Sequence, residues 1–434
     1  MPRAVDDVAA LGRRCFWPPY TASEAHDAGD AFLVAGAEGP YLIDTEGRRW
    51  LDGSGSWWCS NLGHGHPRVR AALKAQADRW MHSMVGGLGH APAYELARDL
   101  VEIAPAGLTR VFYSDDGSTA VEVAAKMAFQ YWHQNGRPER TRFAALPGGY
   151  HGDTLGTMSL GAVDAFSALF APLMFGASRP PDPADSGGWE RTFEALFALI
   201  RAERDAIAAV VVEPVVQGAA GMRMYPPALL AELRAVADEV DTFLIFDEVF
   251  TGFGRTGPMW ACEPAGVAPD LLCSAKGLSA GALPFAATLA TERIYDGFRG
   301  GKARSLMHGH TFCGNPLGAA VAREVLAIYR DEAILERAAP RARQLAEGFE
   351  RIGRIDGARA ARALGMVAAV DLGAQGYFGT RGAAVQRGAL ERGVHLRPLG
   401  DTIYVVPPLN IGAEPLAALI DGVHDAVADV LGGA

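Results

Sequence analysis

The sequence predicts an α/β protein, with a layered, mostly parallel sheet in the middle of the chain and a smaller α+β domain drawn from both ends. Three observations carry this. Between about Arg110 and Ala290, apolar runs of strand length alternate with loops and helical periodicities. Within that stretch Ile207-Ala-Ala-Val-Val-Val-Glu213 is followed by a helix opened by Pro226-Pro227 and running through Val240, then by the run Thr242-Phe-Leu-Ile-Phe-Asp247. This length suits a βαβ crossover, which makes the two strands parallel and sets Glu213 and Asp247 at one edge of the sheet, where open α/β sheets bind their ligands. The two ends lack that alternation, so residues 1–70 are expected to form an N-terminal arm and part of the small domain, 71–322 the large domain, and 323–434 the rest of the small one.

Taken in chain order, Tyr41-Leu-Ile-Asp44 reads as a short strand of the small domain. Val111-Phe-Tyr113 leads into Ser114-Asp-Asp-Gly-Ser-Thr119, where Thr119 and Glu122 have capping-box spacing for a helix start. The helix predicted there buries Val121, Ala124, Met127, Ala128 and Tyr131 and stops near Gly136. Ser178 to Gly188, rich in Pro, Asp and Gly, reads as a surface loop. A second short apolar run, Leu271-Leu-Cys-Ser-Ala-Lys276, follows the first and ends on a lysine. Glu332 to Ile352 is amphipathic, and Leu399-Gly400-Asp401 marks a hairpin.

The 434 residues, 49% hydrophobic and 21% charged, suffice for a substantial core and more than one domain. A formal charge of −10, from 40 basic and 50 acidic side chains, disfavours nucleic acid as a partner and fits small-molecule substrates. The five cysteines show no CxxC spacing, which suits reduced thiols in a cytoplasmic protein. Neither a signal peptide nor a membrane span is expected from the apolar pattern.

Asp247 and Lys276 carry the chemistry. A carboxylate at the end of one strand can keep a pyridinium nitrogen protonated while a lysine at the end of a nearby strand binds the same heterocycle covalently, and together they point to pyridoxal 5'-phosphate. Either alone also reads as a buried acid or a surface lysine. Gly117-Ser118-Thr119 at a helix start offers free N–H groups to a phosphate, or serves only as a cap. Tyr150, in Gly148-Gly-Tyr-His-Gly-Asp153, can stack on a planar ring or fill core, and Glu213 can support Asp247 or simply end its strand. Three other motifs are set aside. Gly252-Phe-Gly254-Arg-Thr-Gly257 lacks the following helix of a dinucleotide fold, Asp247-Glu248 has no Walker A partner, and His64-Gly-His66 and His308-Gly-His310 lack spaced metal ligands. No metal is expected.

The double motif Phe246-Asp-Glu-Val-Phe-Thr-Gly-Phe-Gly-Arg-Thr-Gly257 with Ser274-Ala-Lys-Gly277 resembles the class III aminotransferases. The likeness runs from Trp17-Pro-Pro-Tyr-Thr21 through Gly55-Ser-Trp-Trp58, His90-Ala-Pro92, Tyr150-His-Gly-Asp-Thr154, Glu213 to Tyr225, Met307-His-Gly-His-Thr-Phe312 and Gly314-Asn-Pro-Leu317 to Arg397-Pro398 and Tyr404-Val-Val-Pro-Pro408. The Trp-Trp pair and the Gln217 to Tyr225 run are similar to the branch that uses S-adenosylmethionine to aminate 8-amino-7-oxononanoate in biotin synthesis. That resemblance implies fold type I, with a mostly parallel seven-stranded sheet, and a homodimer with shared sites. It implies that Lys276 binds the cofactor, Asp247 pairs with its ring nitrogen and Tyr150 covers its face, with Tyr20 in the catalytic set and Glu213 beside the cofactor. It further implies that Gly117 and Ser118 take the phosphate, with Thr311 reaching it from the other subunit. Tyr20, Trp57, Trp58, Tyr150, Lys276, Gly309 and Tyr404 would line the substrate pocket, and Arg397 would clamp the acceptor's distant carboxylate. His310, Cys313 and the run Asp115-Asp-Gly-Ser118 depart from the familiar pattern of proline, methionine and Asp-Ser-Gly-Ser. Lysine as the donor, a broader ω-aminotransferase, an aminomutase or a cofactor-binding regulator remain alternatives.

Overall fold

The computed structural model describes residues 5–29, 32–373 and 376–433. Its central sheet has six strands, here β1 (Leu108–Ser114), β2 (Arg142–Ala145), β3 (Ile207–Val212), β4 (Phe243–Asp247), β5 (Leu271–Ser274) and β6 (Ala286–Thr291), in the spatial order β1-β6-β5-β4-β3-β2. Pairings β2/β3, β3/β4 and β4/β5 are parallel, and only β6 runs antiparallel to both its neighbours. Every residue of β3, β4 and β5 is buried, as expected of predominantly apolar runs covered by helices on both faces.

A seventh strand does not form among the described residues. At its place beside β2, Ser178 makes one parallel bridge to Ala144, its N–H donating to the Phe143 carbonyl at 2.8 Å. Pro180, Pro181 and Pro183 follow directly, and residues without an N–H cannot extend a ladder. The stretch 178–188 is therefore more than a loop, since it bridges the sheet edge and then forms a one-turn helix, Pro183–Ser186, capped by Asp182.

Helix α1 (Gly117–Gln134) follows β1, and its cap lies one turn earlier than the Thr119/Glu122 spacing suggests. Asp116 accepts from the Thr119 N–H at 2.9 Å while Thr119 Oγ1 takes the Asp116 N–H, so the capping box is Asp116/Thr119. Glu122 instead accepts from Thr154 Oγ1 at 2.6 Å, pinning the loop after β2 to the helix. Val121, Ala124, Met127 and Ala128 are buried and Tyr131 is half-buried. Helix α2 (Ala228–Glu239) joins β3 to β4, with Val210 opposite Leu244 and Val212 opposite Phe246, the parallel unit that the spacing predicts.

Both ends of the chain meet in one four-stranded sheet. Val34–Glu38, Tyr41–Asp44 and Arg49–Asp52 pair antiparallel, and Val394–His395 adds parallel to Arg49–Asp52. A separate three-stranded sheet holds Arg359–Leu364, Val367–Asp371 and Thr402–Val405. Leu399 and Thr402 exchange backbone hydrogen bonds around Gly400-Asp401, yet the strands on either side enter different sheets, so the turn joins two sheets rather than two arms of a hairpin. The amphipathic segment near 332–352 is the helix Ile334–Gly353. Among the described residues no helix is long and apolar enough to cross a membrane.

The glycine-rich run 252–257 is a tight turn with no helix behind it, which accounts for the failed dinucleotide motif. Arg255 within it is fully buried and donates to Asn61 Oδ1 at 2.8 Å and to the Pro407 carbonyl at 2.7 Å, tying the centre of the chain to both ends. Arg255→Met leaves those two acceptors buried without a donor and is expected to destabilise the fold by about 3 kcal/mol, from ~1–3 kcal/mol per unsatisfied group, read as a lower urea midpoint.

Candidate active site

The carboxyl edge of the parallel strands opens on a cavity of about 450 Å³, lined by Gly117, Ser118, Tyr150, Glu213, Asp247 and Lys276 among others. Sheet register is what assembles it. Asp247 ends β4, opposite Cys273 of β5, so Lys276 emerges just beyond the neighbouring strand at the same edge. Burial lowers the pKa of Lys276, against the opposing pull of Asp247, Cys59, Glu213 and Asp116, and its Nζ lies 5.2 Å from the Trp58 ring centre. Asp247 is buried, accepts the Val249 N–H at 3.1 Å and faces His151 Nδ1 at 2.8 Å. His151 Nε2 is itself buried without a partner. Sequence reasoning missed His151, although it stands next to Tyr150 in the same glycine-flanked run.

Glu213 is buried beside this pair, and its two oxygens accept the N–H groups of Tyr150 and Gly218, each at 2.9 Å. Burial, assisted by the nearby Asp247 charge, pushes its pKa to about 7. It anchors the loop that carries Tyr150, a role its strand-end position only hinted at. Glu248, the next residue after Asp247, accepts from Thr251 Oγ1 and from the N–H groups of Ala261 and Cys262, so it braces the turn that follows β4.

The start of α1 offers donors suited to an anion. Gly117 and Ser118 hold N–H groups of the first helical turn, which have no partner within the helix. A Cβ on Gly117 would lie 2.6 Å from Val249, and one on Gly152, whose φ is +124°, would lie 2.1 Å from Ser118 Oγ. Only glycine at these two positions lets the loops approach this closely. A buried carboxylate, a lysine and unpaired helix N–H groups lining one cavity fit a phosphorylated pyridine aldehyde. Thr311 and Gly309 do not line either cavity of their own chain, and Thr311 is exposed.

A second cavity, about 520 Å³, adjoins the first through Trp58, Tyr150 and Lys276 and is walled by Tyr20, Trp57 and Arg397. Tyr404 is buried beneath it, with its hydroxyl accepting from Trp58 Nε1 at 3.1 Å, and burial pushes its pKa to about 12. The Arg397 guanidinium lies 4.6 Å from the Trp57 ring centre and donates to the Tyr20 carbonyl at 3.3 Å. Asp153, also missed from sequence, accepts from both the Tyr20 and the Tyr150 hydroxyls, the latter at 2.9 Å. Phe166 meets Tyr20, Tyr150 and Tyr377 edge-on, which adds two rings to the mouth that the sequence did not mark. A larger cavity, about 800 Å³, lies beyond β1 and is lined by neither a lysine nor a carboxylate, so volume does not identify the reactive site.

The tryptophans sit on an unusual turn. Gly55, Ser56, Trp57 and Trp58 all have positive φ, from 46° to 72°, giving one left-handed helical turn. Asp52 holds it, accepting from Ser54 Oγ and Ser56 Oγ at 2.8 Å and facing His64 Nε2 at 3.1 Å. Burial alone would raise the Asp52 pKa, but the His395 ring 3.9 Å away and hydrogen bonds from His64, Ser56 and Ser54 outweigh it and hold the carboxylate ionised. The turn directs Trp57 outward to the substrate cavity and Trp58 inward against Phe250.

Residues 22–427 match the family described as aminotransferase class-III. The chain is a class III aminotransferase. Enzymes of this family depend on pyridoxal 5'-phosphate, consistent with the helix N–H groups, the carboxylate and the lysine. The chain is 40% identical to the adenosylmethionine-8-amino-7-oxononanoate aminotransferase of Geobacter sulfurreducens, with 97% of each chain covered. It is similar to the crystal structure of the enzyme of that name from Methanocaldococcus jannaschii, with TM-score 0.93, 34% identity, and 98% of this chain and 99% of that one covered. An amine transaminase from an uncultivated Pseudomonas species, solved with pyridoxal phosphate bound, gives TM-score 0.90 at 34% identity over 96% and 98% of the two chains.

Two outcomes are expected of this aminotransferase. Gly152→Ala drives a Cβ into Ser118 and should weaken cofactor binding at least ~10-fold, measured by titrating apoenzyme with pyridoxal 5'-phosphate. The raised Glu213 pKa means that its stabilising contribution is present in full below 4.5 and is lost as pH rises through about 7. The melting-temperature gap between wild type and Glu213→Gln should therefore shrink between about pH 5 and about pH 8.

Proposed function

We propose that the enzyme transfers the amino group of S-adenosylmethionine to the 7-keto group of 8-amino-7-oxononanoate, giving 7,8-diaminononanoate. The observation that carries this reading is the second cavity. Arg397, its guanidinium 4.6 Å from the Trp57 ring, lines the same cavity as Lys276, whose Nζ lies 5.2 Å from the Trp58 ring, so the pocket suits an apolar acceptor chain that carries a carboxylate. The same indole faces suit a sulfonium donor. Near-full-length similarity to relatives named for this reaction supports the substrate pair over a broad ω-aminotransferase.

When bound, pyridoxal 5'-phosphate supplies an aldehyde that carries the amino group between substrates and a ring that accepts electrons. Lys276 Nζ would hold the cofactor covalently and would serve as the base for the donor α-carbon proton, a task that its lowered pKa favours. Asp247, buried and braced by His151, holds a proton at the ring nitrogen. Tyr150, anchored through its backbone by Glu213, would cover the ring, and Gly117 and Ser118 would bind the phosphate. Tyr20 and Tyr150, joined by Asp153, exclude water from the reacting carbon and orient the substrate.

The active unit on this reading is a homodimer whose partner contributes Thr311 to the phosphate and Gly309 to the substrate mouth. Exposed Met81, Met84, Leu88, Met307 and Phe312, with His82 and Phe312 rings 5.0 Å apart, supply the apolar surface that such a pairing would bury.

Lys276→Ala should abolish both covalent cofactor attachment and turnover, the first read as loss of the cofactor's visible band. Arg397→Ala should raise KM for the keto acid at least ~10-fold while leaving KM for the donor within about 2-fold, because only the acceptor presents a remote carboxylate. Adding S-adenosylmethionine alone to holoenzyme should bleach the visible band; bleaching by lysine and not by S-adenosylmethionine would reassign the donor. Phe312→Asp should shift the enzyme toward monomer in sedimentation velocity and weaken cofactor retention together.

A further inference from the structure

Asp115, His310 and Cys313 lie outside the roles described above. Asp115 stands just before the cap of α1, whereas His310 and Cys313 belong to the loop that precedes the helix Pro316–Asp331. One ligating atom from each, a carboxylate oxygen, a ring nitrogen and a sulfur, lies within 4.8 Å of the other two. The short His-Gly-His spacing had suggested only loop structure, because the cysteine and carboxylate become neighbours through the fold.

Two further observations distinguish this cluster from a chance meeting. His310 Nδ1 is 3.1 Å from Asp115 Oδ2, but the two are not aligned for a hydrogen bond, and this buried nitrogen has no other partner. Cys313 is 7% exposed, and its sulfur accepts the His310 N–H at 3.1 Å, a contact that favours thiolate. Burial foremost, with the Asp115 charge, pushes the Cys313 thiol up. A divalent cation seated among the three would reverse that balance by pairing with both anions.

We propose that Asp115, His310 and Cys313 form a three-ligand site for a zinc-class divalent cation that ties the 307–315 loop to the loop opening α1. The mixed O, N and S donor set suits borderline-soft ions and disfavours magnesium or calcium, which take oxygen ligands. On binding, the Cys313 thiol gives its proton to solvent and the sulfur donates an electron pair to the metal, with no change of oxidation state. Water completes a tetrahedral shell. The bound ion would fix Thr311, which lies between two of the ligands, relative to the Gly117-Ser118 phosphate cradle.

The test is titration of metal-free holoenzyme with cobalt(II), followed in the visible region beyond about 500 nm, where tetrahedral cobalt absorbs and the cofactor does not. A saturable band at about one cobalt per chain is expected, together with a similar zinc content by atomic emission after dialysis against zinc. Cys313→Met and His310→Asn should each weaken binding at least ~10-fold while keeping the cofactor's own absorbance and far-UV circular dichroism. Wild-type protein that takes up neither metal overturns the proposal and leaves an ordinary His310–Asp115 ion pair. Equal cobalt affinity in wild type and both variants overturns it too, since the metal would then sit elsewhere.

Discussion

The parallel pairing of β4 with β5 is the constraint on which the site depends. With Cys273 opposite Asp247, and the Glu248 N–H donating to the Cys273 carbonyl at 2.9 Å, the carboxylate and Lys276 must leave the sheet at one edge. A slip of one residue would turn the Asp247 side chain to the other face and separate the two groups. Neighbouring β3 delivers Glu213 to the same edge, and the loop after β2 delivers Tyr150 and His151. Four adjacent parallel strands thus supply the reactive groups in a row, and the start of α1 closes the row with its unpaired N–H groups.

Three buried carboxylates lie along that edge, and their neighbours give each a different task. Asp247 has an imidazole partner and one backbone donor and lines the cavity suited to a cofactor. Glu213 is satisfied by two backbone N–H groups and serves to fix a loop. Glu248 accepts from one hydroxyl and two backbone N–H groups and organises the turn that leads to Arg255. The same chemical group thus acts as an electrostatic anchor, a loop clamp and a turn brace according to what it faces.

Much of this was legible in the residues because local signals agreed with the final fold. β3, β4 and β5 are short apolar runs bounded by polar punctuation, and the reactive residues stand at their ends. What escaped depended on distant parts of the chain. Asp153 and His151 stood in a motif already noticed, but their importance comes from Tyr20 and Asp247, far away in sequence. Phe166 and Tyr377 carry no local mark at all. The shifted cap of α1 shows two competing polar pairs one turn apart, of which Asp116 won because Glu122 found Thr154. The missing seventh strand shows three prolines overriding a pattern expected from family likeness.

The left-handed turn at residues 55–58 has its own consequence. Such a turn costs ~1–2 kcal/mol per non-glycine residue, so no local preference maintains it. It persists because Asp52 gathers Ser54, Ser56 and His64 from the beginning of the chain, while the neighbouring Gly53 backbone bonds to His395 and Val406 near its end. The shape of the substrate wall is therefore inherited from the closure of the two chain ends upon each other. An engineer who redesigns the tryptophans to admit other amines inherits a spring already compressed, and Asp52, which lines neither cavity, is the latch that must stay shut.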